Sequence, residues 1–337
     1  MVDSKAVIFG CAGLELTPGE ATFFSIAQPI GFILFGRNCD TPGQLRMLIN
    51  DLRNSIKNDN ALILIDQEGG RVARLASPHW RHPPAAHKFA KLAKKDLALA
   101  CEALMLNVRL IGRELRELGI NVDCLPVLDI PLAGSDPIIG DRAYGTEPNQ
   151  VSVLGRVACN ALLKEGVMPV IKHIPGHGRA NVDSHKALPI VDIDWAELSR
   201  TDFMPFKALS DMPLAMTAHV IYSNIDDDYP ATTSQKIIQD VIRGEICFKG
   251  LLMSDDLSMQ ALVGSVAGRA VASLQAGCDV VLHCNGVMSE MVEIASVVQG
   301  FSDESADRLA IALARIKDHE TVDRQAALER LAELGIN

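Results

Sequence analysis

Aromatic side chains are scarce in this chain. Phe, Tyr and Trp make up 4% of its 337 residues, with only two Trp and three Tyr. That argues against a protein that holds long ligands on a row of stacking platforms. Paired cysteines are missing as well. The eight Cys stand at 11, 39, 101, 124, 159, 247, 278 and 284, none in a C-x-x-C pair and most inside apolar runs such as VDCLPVLDI and AGCDVVLHC. Scattered thiols of that kind fit a reducing compartment rather than a disulfide framework. Positive charge is in deficit, with 32 Lys and Arg against 42 Asp and Glu and a net charge of -10. Such a balance excludes a general binder of nucleic acid or anionic membranes. No apolar run approaches the ~20 residues of a membrane helix. The apolar run in MVDSKAVIFG is too short for a signal peptide and reads as a first strand, so a cytoplasmic location is expected. No Gly/Ser or Pro linker divides the chain, and residues 1–337 read as one domain.

What is present is a core. Hydrophobic residues make up 48% of the chain, which excludes a disordered one. One theme repeats along it: a short apolar run, a polar or Gly-containing turn, then a helical pattern. The predicted strands are 6–10, 31–35, 61–65, 120–127, 167–172, 214–219, 250–254 and 278–283. They are short, rich in β-branched residues and without strict alternation, as expected of parallel strands buried on both faces. Helical patterns fall at 41–56, 95–119, 149–166 and 266–277, several ending in Gly. Eight βα units predict an α/β fold, a (β/α)8 TIM-type barrel, rather than an open sheet. The tail from about 303 to 335 predicts two amphipathic helices packed outside the barrel. The basic stretch RHPPAAHKFAKLAKK (81–95) predicts a solvated helix face, with contact to acidic groups on a ligand as the alternative.

A barrel carries its active site at the C-terminal ends of its strands. The polar residues just past those ends are Asp66-Gln67-Glu68, Asp129, Lys172-His173, His219, Asp255-Asp256, and His283 with Asn285. Any one could be structural; the convergence of so many on one rim points to an enzyme site. The densest segment, KHIPGHGRANVDSHKALPIVD (172–192), holds three His, two Lys, an Arg and two Asp. His173 and His177 have the i, i+4 spacing of a helical zinc motif, but Pro175 and Gly176 between them argue against a helix. Two chemistries stay open for this loop. His173, His177, Asp183 and His185 could hold a metal, or Asp183 and His185 could form an acid–base dyad in which the carboxylate steadies the imidazole. The loop's glycines suggest a mobile lid. Asp255 is expected at a strand tip, able to attack an anomeric carbon or to bind a metal. Asp256 begins the turn and could cap the following helix. The Arg residues in GGRVAR (69–74) and GDRAYG (140–145) could contact a ligand or form surface ion pairs.

Taken together, GFILFGRN, DQEGGRVARL, GINVDCLPVLDI, GDRAYG, KHIPGHGRANVDSH, MTAHVIY and LLMSDDLSM resemble glycoside hydrolase family 3, in its branch of bacterial β-N-acetylhexosaminidases. The resemblance covers nearly the whole chain, in the family's order. KH-x-PGHG with the downstream DSH, and SDDLSM, are its most specific parts. Ile174 stands where Phe is usual, and Cys124 where an aromatic or small residue is common.

The resemblance implies a retaining mechanism through a covalent glycosyl-enzyme. Asp255 matches the nucleophile, His185 the acid/base and Asp183 its partner, in place of the usual two carboxylates. Asp66, Arg74, Arg142, Lys172 and His173 match positions that bind a terminal N-acetylglucosamine. The implied substrate is a small-molecule muropeptide or amino-sugar fragment, GlcNAc-1,6-anhydro-N-acetylmuramic acid with or without its peptide, in cytoplasmic peptidoglycan recycling. No metal, organic cofactor, nucleic acid, membrane or obligate protein partner is expected. The pocket so assembled has charged walls and no aromatic member, which fits the low aromatic content.

Overall fold

The computed structural model describes residues 4–132, 136–180, 182, 184, 188–316 and 319–336. Eight parallel strands close into a barrel: β1 Lys5–Gly10, β2 Pro29–Leu34, β3 Leu62–Ile65, β4 Val122–Asp123, β5 Met168–Ile174, β6 Leu214–Thr217, β7 Leu251–Asp256 and β8 Val280–His283. Each pairs with its neighbours in chain order, and β8 returns to β1 with Val7 opposite Val281. All eight predicted strands are present. β4 is the shortest, with Val122 and Asp123 in register with Met168 and Pro169. Pro126 has no N–H to donate, so beyond Asp123 the ladder continues as single bonds, Cys124 N–H to Ile65 O and Val170 N–H to Leu125 O.

The helices begin and end where their capping chemistry says. Thr41 caps α2 (Pro42–Ser55) by accepting from Gln44 N–H, after α1 (Pro18–Ala27) with its Thr17–Glu20 capping box. Following α3 (Ala86–Ala93), Asp96 caps α4 (Leu97–Leu118), which stops at Gly119 with φ 92°, a left-handed turn that glycine makes without steric cost. The lysines at 91, 94 and 95 on and after α3 face solvent, as predicted. Further round the ring come α5 (Pro148–Lys164), the short α6 (Trp195–Arg200) and α7 (Met204–Ala208), a more loosely wound helix Ile237–Glu245, α8 (Val266–Ala276) and α9 (Met288–Val297).

Two apolar layers hold the barrel. Leu62, Leu64, Met168, Val170, Leu214, Met216, Leu251, Met253, Val280 and Leu282 fill its interior, while the alternate residues Ile63, Ile65, Ile171, Ala215, Leu252 and Val281 meet the helices. Both faces are apolar, which is why the sequence shows continuous runs rather than alternation. The C-terminal helices α10 (Asp303–Ala314) and α11 (Arg324–Glu333) lie outside the strands. α11 packs on α4, with Arg330 Nε 2.7 Å from Glu102. α10 covers the bottom opening: Leu309 and Ala312 join the interior cluster, and Ser305 and Arg308 both donate to Asp279.

Candidate active site

The two-residue step that fills the barrel also builds its mouth. Two residues on from Leu64, Val170, Met253 and Leu282 stand Asp66, Lys172, Asp255 and Cys284, and all four line a cup at the C-terminal ends of the strands. Ile33, Met216 and Leu282 form its floor, and Arg74, Arg142, His173 and Phe35 complete its walls. Its volume is about 380 Å³, within the range of small-ligand sites.

Phe35 corrects the expectation of a cup without aromatics. The Arg37 and Arg74 guanidinium carbons lie 5.0 and 5.1 Å from its ring centroid. Phe35 directly follows β2 and is apolar, so no polar signal marks it in the sequence.

The charged wall is a connected network. Lys172, 2% exposed, places Nζ 2.8 Å from Asp66 and 2.7 Å from Glu68. Arg142 makes two bonds of 2.8 Å to Glu68, and Arg74 lies 3.0 Å from Asp66. Burial works to raise the Asp66 carboxyl, but Lys172 and Arg74 outweigh it and hold it well below the usual range. Glu68 is brought down to about 2 against the same burial, by Arg142 and Lys172. Lys172 is raised despite burial because two carboxylates face it. Glu68, which the sequence offered only as one rim residue among many, is the hub of this network. Arg71 makes the surface pair: its Nε lies 2.7 Å from Asp141 and ties the two Arg-bearing loops together.

Asp255 stands on the opposite side. Burial raises its carboxyl, and His219, His173, the Asp256 N–H and Lys172 outweigh that and lower it below its ordinary value, so it is ionised. Its Oδ1 accepts from Asp256 N–H at 2.8 Å. Asp256 does not cap a helix. Its Oδ1 accepts from Ser258 N–H at 3.0 Å and Cys284 N–H at 3.1 Å, stitching the turn after β7 to the end of β8, and Ser265 caps α8 instead. His219 is fully buried, bonded to Thr232 Oγ1 at 2.7 Å and to Asp256 O at 3.0 Å, and burial lowers its pKa. His283 is also buried, 3.3 Å from Glu290. Both rim histidines act behind the cup rather than in it.

The loop after β5 starts on β5 itself, since the strand runs through His173 to Ile174. His173 and His177 are not on a helix. Asp129 accepts from His173 Nδ1 at 2.7 Å and from His177 N–H at 2.7 Å. His177 Nε2 lies 3.1 Å from Ser184 Oγ, and burial lowers its pKa to about 4. Tyr222 donates to Gly176 O, and Arg179 binds Asp202 at 2.7 Å. A Cβ on Gly178 would stand 2.1 Å from Ile130 O. Gly178 is therefore needed where the chain packs against the Ile130 backbone. Asp183 and His185 lie outside the described residues, so the dyad and two of the four candidate metal ligands have no geometry here.

A second, larger groove of about 810 Å³ lies away from the mouth, lined by Asp226, Lys236, Asp240 and α8 residues. Asp226 there is engaged by Ser234 Oγ and the Asp228 and Tyr229 N–H groups.

Residues 25–318 match the model of the glycosyl hydrolase family 3 N terminal domain. The chain is 35% identical over 324 residues to a beta-hexosaminidase of Nitrosomonas eutropha, covering 95% of this chain and 91% of that one. It is 34% identical to a beta-hexosaminidase of Methylobacillus flagellatus, covering 98% and 96%. Among solved structures it is similar to NagZ from Neisseria gonorrhoeae in complex with N-trifluoroacetyl-D-glucosamine. The TM-score is 0.87 at 30% identity, over 99% of this chain and 98% of that one.

Proposed function

The chain belongs to glycosyl hydrolase family 3 and is a glycosidase of the β-hexosaminidase type; we propose that it is a retaining exo-β-N-acetylglucosaminidase working from the cup at the barrel mouth. One observation carries the reading. An ionised carboxylate, Asp255, faces a cup of single-sugar size that also presents the fixed charged groups Asp66, Arg74, Arg142 and Lys172. Asp255 attacks the anomeric carbon, the glycosidic bond breaks, and a glycosyl-enzyme ester forms. Water then cleaves that ester and returns the carboxylate.

The leaving oxygen needs a proton, and the other carboxylates lining the cup are poorly placed to give it. Asp66 is held ionised by Lys172 and Arg74, and Asp256 is bound into the turn it closes. Neither of these carboxylates is free to give that proton. This supports His185 on the β5 loop as acid/base, oriented by Asp183, in keeping with the family resemblance. Asp66, Arg74, Arg142, Lys172 and His173 bind the non-reducing GlcNAc unit through its hydroxyl and acetamido groups. The imidazolium gives its proton to the leaving oxygen, and the neutral imidazole left behind avoids the repulsion that a second carboxylate would bring beside the anionic nucleophile, then takes the proton of the attacking water.

The substrate we propose is a terminal β-linked GlcNAc on a peptidoglycan fragment, GlcNAc-1,6-anhydro-N-acetylmuramic acid with or without peptide. The setting is cytoplasmic cell-wall recycling, with residues 1–337 as one catalytic domain. No helix among the described residues is long and apolar enough to cross a membrane.

The test is chemical. Incubation with a fluorinated GlcNAc donor, digestion and mass spectrometry should find the sugar on the peptide carrying Asp255. An active enzyme that never forms this adduct would be using another route, such as attack by the substrate's own acetamido group.

A further inference from the structure

Asp129 is fully buried and lies just past β4, yet three hydrogen bonds reach it from the end of β5 and the loop that follows. Its Oδ1 accepts from His173 N–H at 3.2 Å and His177 N–H at 2.7 Å, and its Oδ2 is 2.7 Å from His173 Nδ1. Nothing in the proposed reaction uses this carboxylate. It does not line the cup, whereas His173 does. The burial of Asp129 raises its carboxyl, but the His173 and His177 contacts outweigh that and hold it ionised.

An ionised carboxylate can only accept. The nitrogen facing it must therefore carry a proton. In the neutral ring, His173 then has Nδ1–H toward Asp129 and a bare Nε2, which has no hydrogen-bond partner among the described residues. The hydrogen bond made by one ring nitrogen sets the state of the other. We propose that Asp129 is a positioning residue: it fixes His173 as the Nδ1–H tautomer, so that Nε2 accepts a hydrogen bond from a sugar hydroxyl, and it ties that ring to the first turn of the β5 loop through His177 N–H. The sugar half of this rests on the reading of His173 as a GlcNAc contact.

Asp129→Asn is the discriminating variant. Asn keeps the size and one oxygen for the two amides, but turns the atom facing Nδ1 into a donor. His173 must then accept there and carry its proton on Nε2, presenting a donor where the sugar hydroxyl donates. Losing one hydrogen bond and leaving its partner unpaired raises KM for an aryl β-GlcNAc, and the dissociation constant for GlcNAc, about 10- to 100-fold, with kcat changed much less. A role confined to folding would lower the amount of active enzyme without that split.

Nitrogen NMR on the ¹⁵N-His-labelled wild type reads the tautomer directly, with the His173 signals identified by their loss in His173→Gln. The expected spectrum has a protonated Nδ1 and an Nε2 that shifts on adding GlcNAc. A wild-type His173 with its proton on Nε2, or an Asp129→Asn enzyme with unchanged KM and GlcNAc affinity, overturns the proposal. If the variant does not fold, the wild-type spectrum still decides. A wild type that neither binds GlcNAc nor turns over the glycoside overturns the glycosidase reading and the sugar half of this one. Turnover with the wrong tautomer overturns this proposal alone.

Discussion

Glu68 grips Arg142 through two parallel hydrogen bonds of 2.8 Å, one from Nε and one from Nη2. Its Oε1 also takes the Lys172 ammonium at 2.7 Å. One carboxylate thus orients two cations of the cup from behind. Glu68→Gln removes the charge and one acceptor while leaving both cations buried. Breaking a buried pair from one side costs about 3–5 kcal/mol, so urea unfolding at neutral pH should show a loss of that order. KM for an aryl β-GlcNAc should rise as well, because Arg142 and Lys172 lose their fixed positions. A variant with wild-type stability and KM would show that the network is not holding the cup.

The same pair sets a pH window. A carboxyl whose folded pKa lies below its unfolded one adds stability that is complete above the unfolded value and is lost as pH falls through the folded one. For Glu68 that window runs from 4.5 down to about 2. Asp66, also held low, works in the same direction. Lys172 is raised, so its contribution is complete below 10.5 and is lost only as pH climbs past its raised value. Melting temperatures of wild type and Glu68→Gln, measured from pH 7 to pH 2, should therefore converge as pH drops below 4.5. Parallel curves would place the acid sensitivity elsewhere.

The nucleophile makes the sharpest kinetic prediction. Asp255→Asn keeps the size and the bond from Asp256 N–H, but its amide cannot form the ester. The kcat should fall on the order of 10³-fold or more on every substrate, aryl or disaccharide alike. His185→Ala should differ by substrate. Where the leaving group needs a proton the loss should be ~10²–10⁴-fold, and an activated aryl group should lose less in glycosylation. Equal loss on both substrates would count against the acid role.

Asp66, Lys172 and Asp255 were legible because the two-residue step of a strand carries from the apolar interior to the first polar residue beyond it. Arg142 was legible by resemblance, but its setting was not, since its partner Glu68 is 74 residues away and only barrel closure brings them together. Asp129 was visible as a rim residue, yet its partners His173 and His177 lie at least 44 residues on, across the β4–β5 boundary. Local pattern could place Asp256 at the end of β7. It could not show that Cys284 N–H would claim its carboxylate before any helix did. Strand β4 was overestimated because hydropathy registers burial, not the missing N–H of Pro126.

The barrel's bottom offers a control that separates stability from chemistry. Asp279, 5% exposed, accepts from Arg243 and Arg308 at 2.7 Å each, from Ser305 at 2.6 Å, and from Leu252 N–H at 2.8 Å. It joins the start of β8 to β7, to the helix Ile237–Glu245 and to α10, which closes the floor. Asp279→Ala strips the partner from two part-buried guanidinium groups and loosens α10 over Leu309 and Ala312. The cost should again be about 3–5 kcal/mol, seen as a lower urea midpoint. Asp279 lies at the opposite end of the strands from the cup, so kcat and KM of the folded fraction should stay within about twofold, as expected for sites with no shared partners. A variant that unfolds at lower urea yet keeps its kinetics would separate the two ends of the barrel. A KM that moves with the Asp279 change would mean that the floor transmits to the mouth through the packed interior between Leu251 and Asp255.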